Sequence, residues 1–182
     1  MRRLFRPCLL AVTVCVEACA SGASSATPSN RVFADDQTIV RSSVDTRGRE
    51  AYIDLPLDRV WTAALAAYRE LGFDLTVVDS KSHQIGVVNA VRTRVLADQP
   101  LTRFFDCGGS FSGPRAASDR LLVTASTVMS TDEKGRTVVR TSVAATSTSS
   151  SGGGAHDSLP CATTGSLEAR INNLLTTRAV QQ

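Results

Sequence analysis

Two runs of alternating apolar and polar residues constrain this chain more than any other feature. Leu121, Val123, Ala125, Thr127 and Met129 form one face of the first run; Val139, Thr141, Val143 and Ala145 form the matching face of the second. Side chains two apart lie on the same side of an extended strand, so each run reads as a half-buried β-strand. Between them, Thr131-Asp132-Glu133-Lys134-Gly135-Arg136 reads as a polar turn, and the whole as a hairpin. A chain built on this hairpin has to cover one face of an antiparallel sheet.

Two stretches with helical period supply the cover. Leu57, Val60, Trp61, Ala64, Leu65, Tyr68 and Leu71 follow the spacing of an amphipathic helix. Pro56 opens it, Asp58 complements the dipole in its first turn, and Gly72 is placed to end it. Trp61, the only tryptophan, reads as a core anchor on that stripe. A second helix is expected to start near residues 164–166. Its stripe is Leu167, Ile171, Leu174 and Leu175, with Glu168 near its positive end and Arg178 near its negative end.

Three further strands are expected. Ala51, Ile53 and Leu55 alternate with Tyr52 and Asp54; residues 73–79 are rich in β-formers; Ile85, Val87, Asn89 and Val91 alternate again. Residues 92–120 contain Pro100, Pro114 and several glycines and read as a long connection, with one short helical turn near residues 101–105. Connections of that length are uncommon in a compact domain unless they hold structure or function. Pro160-Cys161 and Asp106-Cys107-Gly108-Gly109 read as turns, and residues 146–154 as a low-complexity Ser/Thr/Gly run. The expected order is β-α-β-β-β-β-α. That is an α+β domain, a single antiparallel sheet with two helices packed on one face, spanning residues 49–180.

The first residues read as an address. Arg2, Arg3 and Arg6 precede an apolar run over residues 7–16, and Ala18, Cys19 and Ala20 follow it. A basic start, a short apolar run and small residues at its exit describe a signal peptide. Two sites of cleavage compete. Val16-Glu17-Ala18-Cys19 resembles a lipobox, which would make residues 1–19 the signal and Cys19 the lipid-bearing residue, although Glu17 departs from the usual pattern. Ala18-Cys19-Ala20 instead resembles an ordinary cleavage site. The lipobox is the favoured reading, because residues 20–48 begin as a Ser/Ala-rich tether. A flexible coil of that length reaches about 30 Å. Arg2-Arg3-Leu4-Phe5 also resembles part of a twin-arginine signal.

Cysteine usage agrees with export. Cys8, Cys15 and Cys19 lie in the leading segment, which leaves Cys107 and Cys161 as one pair in an oxidising compartment. A Cys107–Cys161 disulfide is expected. The alternatives are a metal pair, for which only His83 and His156 could complete a Cys/His set, and a catalytic thiol.

The string from Ile53 to Val87, with Val60-Trp61 early in its helix and Leu71-Gly72 at its end, resembles the opening of BamC-like helix-grip domains in bacterial envelope lipoproteins. BamC-like chains often carry two such domains, and this chain has room for one. The resemblance implies a helix-grip fold whose groove, here beside Trp61, Leu65 and Tyr68, can hold an apolar ligand.

No nucleophile elbow, zinc-protease helix, phosphate-binding loop or dinucleotide fingerprint is present. His156-Asp157 matches a hydrolase pair only in composition, and no cofactor or metal is expected. Without Arg2, Arg3, Arg6 and Glu17, the 20 basic and 17 acidic residues fall to 17 and 16. A net charge of +1 gives no reason to expect nucleic acid as a partner. Arg92, Arg94, Arg103, Arg115 and Arg120 are the one local bias, and an anionic lipid or wall polymer is the partner such a cluster would suit. The leading expectation is a non-enzymatic envelope lipoprotein, anchored at the periplasmic side of the outer membrane and presenting its domain to a protein partner. A periplasmic or secreted binder of a small apolar ligand is the second, and an enzyme of unknown type the third.

Overall fold

In the computed structural model of the protein, residues 48–148 and 158–182 are described. Strand β1 (Arg49–Ile53) leads through Pro56 into helix α1 (Leu57–Glu70), followed by β2 (Val77–Asp79) and β3 (Gln84–Thr93). The next stretch holds β4 (Val95–Leu96), β5 (Gln99–Pro100), a 3-10 turn (Leu101–Arg103), β6 (Phe105–Asp106), β7 (Gly109–Ser110), β8 (Gly113–Pro114) and the short helix α2 (Arg115–Ser118). The long strands β9 (Arg120–Thr131) and β10 (Thr137–Thr148), then β11 (Ser158–Thr163) and helix α3 (Ser166–Gln181), complete the fold.

The α+β class and its mostly antiparallel sheet are as expected. Seven strands form the main sheet, in the order β2-β3-β9-β10-β11-β6, with β1 also on β10. The expected hairpin is its centre: β9 and β10 pair from Thr137↔Thr131 to Thr148↔Arg120. The other edge of β10 is shared. β1 takes Thr137 to Thr141, and β11 takes Ala145 to Thr148. Gly48 sits just before β1 with φ +63°, and a Cβ there would lie 2.7 Å from the Thr141 carbonyl oxygen. Only glycine admits that approach in that conformation.

Both main helices cover one face of the sheet. α1 buries Val60, Ala63, Ala64, Ala67 and Tyr68, so three alanines let its backbone come close to its neighbours. Leu57, Trp61 and Leu65, expected on the core stripe, are only half-buried, because the helix is turned toward its alanine edge. Trp61 therefore packs at the core's margin, edge-on to His83 with ring centroids 5.9 Å apart. α3 buries Leu167, Ile171, Leu175 and Ala179, and with them Asn172. Leu174, expected inside, is half-exposed. The helices are tied to each other by Arg59, which donates to the Ala179 carbonyl at 3.0 Å, and by an Arg178–Glu70 ion pair at 2.6 Å.

Four expectations are corrected. Residues 73–79 are strand only at Val77–Asp79; Phe73 is buried against Tyr68 instead of pairing. Residues 92–120 are not an open connection. β3 runs on to Thr93, the 3-10 turn falls where a helical turn was expected, and Leu96, Leu101, Phe104, Phe105 and Ala116 are buried beneath it. Pro160-Cys161 is not a turn but the middle of β11, with Pro160 opposite Thr146. Proline has no N–H for a ladder, and this argues against a strand until the partner is known. The low-complexity run begins later than expected, since Thr146–Thr148 belong to β10; residues 149–154 lie outside the described residues.

Candidate functional site

The residues expected to line a groove between helix and sheet have separate surroundings. Tyr68 has no exposed surface and bonds to Thr127 Oγ1 at 2.9 Å. Thr127 meets Thr141 Oγ1 at 2.9 Å, Thr141 donates to Asn172 Oδ1 at 2.6 Å, and Asn172 Nδ2 donates to the Arg49 carbonyl at 3.2 Å. The carbonyl of Arg49 can only accept, so the amide of Asn172 is oriented. Thr141 then gives its proton to Asn172, Thr127 gives to Thr141, and Tyr68 gives to Thr127. This one-way chain joins α1, both central strands, α3 and β1, with each hydroxyl used once as donor. Burial pushes the Tyr68 phenol well above its ordinary range, against the opposing bond to Thr127. Trp61 and Leu65 lie half-exposed beside this core and do not share Tyr68's polar surroundings.

The expected disulfide is present. Cys107 and Cys161 are bonded, with Cα atoms 4.1 Å apart. Cys107 therefore offers no free thiol for catalysis or metal binding. The bridge lies next to the pairing of β11 with β6, where Ala162 opposes Asp106 and Thr163 opposes Phe105. Sulfur and ladder together fix the start of the β7–β8 hairpin to the sheet. Asp106 accepts from the Gly108 N–H at 2.9 Å, and Arg115 N–H donates to the Gly108 carbonyl at 3.0 Å, closing the hairpin's base. At its tip, between Ser110 and Gly113, Phe111 is fully exposed. Sequence reasoning passed over it, because a lone Phe in a glycine-rich stretch carries no periodicity.

The five arginines between residues 92 and 120 do not act as one patch. Arg92 donates to the Gly72 carbonyl and lies over the Phe73 ring at 5.0 Å. Arg115 faces Asp119 at 3.6 Å, and Arg103 donates to Gln99 Oε1 at 3.2 Å. Asp119 is itself buried and accepts from Ser147 at 2.6 Å.

A surface cleft of about 440 Å³ opens on the outer side of α3. One wall is the helix face carrying Ser166, Ala169, Arg170, Asn173, Leu174 and Thr177; the other is Arg103 and Phe104. Thr164 holds the walls together, donating its hydroxyl to the Arg103 carbonyl at 2.7 Å and its N–H to the Phe104 carbonyl at 2.9 Å. The helical spacing of the six α3 residues was visible in the chain; the opposing wall comes from about 60 residues earlier and was not.

Glu168, in the first turn of α3, is buried and accepts from Thr163 Oγ1 at 3.0 Å, but its Oε2 has no partner. Burial holds its carboxyl above the ordinary glutamate range, against bonds from its own N–H and Thr163 and the nearby Arg49. Among the described residues, no group of three His, Cys, Asp or Glu side chains is placed to hold a metal, and no helix is long and apolar enough to cross a membrane. Residues 1–19 with Cys19, the tether up to residue 47, and His156-Asp157 lie outside the described residues. Set beside family models, curated proteins and solved structures, the chain matches none of them.

Proposed function

We propose that this chain is an exported, membrane-tethered envelope lipoprotein that works by contact and not by turnover. In this reading residues 1–19 direct export, Cys19 carries the lipid and residues 20–48 form the tether. The α+β domain then meets a protein partner at the periplasmic side of the outer membrane.

The observation that carries the reading is Phe111, wholly exposed at the tip of a hairpin whose base is bound to β11 through Cys107. A phenylalanine buried in a partner contributes about 2 kcal/mol that it cannot contribute here. Aromatic side chains dominate the centres of protein interfaces, and a short constrained hairpin loses little entropy on docking. The disulfide supports an oxidising compartment.

The test is a photoreactive benzoylphenylalanine placed at position 111 in the native envelope, with the same group at Glu133 in the β9–β10 turn as control. A discrete crosslinked species from position 111 alone, together with an intact mass showing lipid on Cys19 and two missing hydrogens, is the expected result. An untrimmed chain in the cell interior with both late thiols reduced would overturn it.

A further inference from the structure

The cleft beside α3 has a chemistry that the contact reading does not use. Its two charged lining residues, Arg103 and Arg170, are both cationic, and no carboxylate lines it. Among the described residues neither guanidinium has a carboxylate within ion-pair distance, and Arg170 Nε is buried with no hydrogen-bond partner. By contrast, Arg178, Arg140, Arg136 and Arg115 are matched to Glu70, Glu50, Asp132 and Asp119. A buried donor left without an acceptor is costly, and two unneutralised guanidinium groups facing one cleft repel each other. An oxyanion between them relieves the repulsion, and the planar fork of arginine suits carboxylate and phosphate alike.

The rest of the lining completes a small-molecule site. Ser166, Asn173 and Thr177 add neutral donors along the helix face, while Leu174, Ala169 and the edge of Phe104 supply apolar surface. The volume lies within the range of ordinary ligand pockets. The walls are preorganised, since Thr164 bonds to both Arg103 and Phe104, three residues after the disulfide-bonded Cys161.

We infer that this cleft binds a small soluble organic anion, with its oxyanion head between Arg103 and Arg170 and an apolar body against Leu174 and Phe104. The site is independent of Phe111 and of the lipid anchor.

The experiment uses the full oxidised chain, ¹⁵N-labelled, titrated separately with phenyl phosphate, with inorganic phosphate and with phosphatidylcholine vesicles containing phosphatidic acid. Phenyl phosphate is expected to give a saturable shift of the Arg170 Nε–H signal and to bind more tightly than inorganic phosphate. Arg103→Gln and Arg170→Gln are each expected to weaken it about tenfold, the loss of one charged bidentate contact. Arg120→Gln, an exposed arginine outside the cleft, should leave it unchanged. Arg103 is exposed, so its variant reads the site even if Arg170→Gln fails to fold. Non-saturating shifts, equal affinity for inorganic phosphate, insensitivity to Arg103→Gln, or a response to the vesicles alone would each overturn the inference.

Discussion

Thr141 on the central strand β10 donates its hydroxyl to Asn172 Oδ1 on α3 at 2.6 Å, with both residues buried. The bond is the middle link of the chain from Tyr68 to the Arg49 carbonyl, and it sets how α3 sits on the sheet. An apolar contact would hold the helix with similar energy but would permit it to slide. A buried amide with both ends engaged does not.

Removing that link is costly. Asn172→Ala takes the acceptor from the buried Thr141 hydroxyl, which costs about 1–3 kcal/mol, and removes the part-buried bond to the Arg49 carbonyl as well. A loss of roughly 2–4 kcal/mol in urea unfolding is expected. Tyr68→Phe removes a single terminal donor and should cost only about 1 kcal/mol. The double variant Tyr68→Phe/Thr127→Val should cost less than its two single variants added, because Thr127→Val alone strands the buried Tyr68 hydroxyl, which the double variant removes.

The Cys107–Cys161 bridge closes a sequence separation of 54 residues. On the chain-entropy relation, its loss destabilises by about 4 kcal/mol. Cys107→Ser/Cys161→Ser should show that drop in denaturant midpoint. Reductant should lower the midpoint of the natural chain and leave that of the double variant unmoved.

Glu168 makes stability fall as pH rises. Its carboxyl is held above the ordinary range by burial, so the folded state prefers it protonated. The contribution is fully present below the unfolded-state value and is lost as pH climbs through the raised folded-state value. Glu168→Gln keeps the shape and removes the titration. Relative to the natural chain, its melting temperature should improve progressively as pH rises above the ordinary glutamate range. Parallel melting curves for the two proteins would show that Glu168 does not titrate differently on folding.

Gly86 lies where β3 crosses β9, and a Cβ there would sit 2.4 Å from the Ala125 carbonyl oxygen. Neither backbone can yield without opening the ladder between Val87↔Ala125 and Gly86↔Ser126. Gly86→Ala should destabilise by roughly 1–3 kcal/mol, the usual range for overpacking. Gly109→Ala, where a Cβ meets nothing within 4 Å, is the control and should change little.

Phe111→Ser should leave stability within about 0.5 kcal/mol, because the ring touches nothing it could lose. Capture of a partner by neighbouring crosslinkers should fall sharply. A variant that melts normally yet loses the crosslink separates display from folding.

The sequence by itself determined the secondary framework. Period-two alternation around Thr131-Asp132-Glu133-Lys134-Gly135-Arg136 placed the central hairpin, and period-3.6 stripes placed both long helices, because these signals are local and each residue's face follows from its neighbours. The pairing of Cys107 with Cys161 was legible as well, since no other cysteines lay outside the leading segment. Only the tertiary structure decided what local pattern cannot carry. Pro160 is in a strand because β11 pairs with β10 there, with Thr146 opposite, while β6 reaches only Ala162 and Thr163. Asn172 is inside because Thr141 and the Arg49 carbonyl, 31 and 123 residues away in sequence, meet both ends of its amide. The cleft exists because the turn at Arg103 is folded against α3. A polar residue's worth depends on its partners, and partners brought together by loop closure leave no mark on the local spacing of the chain.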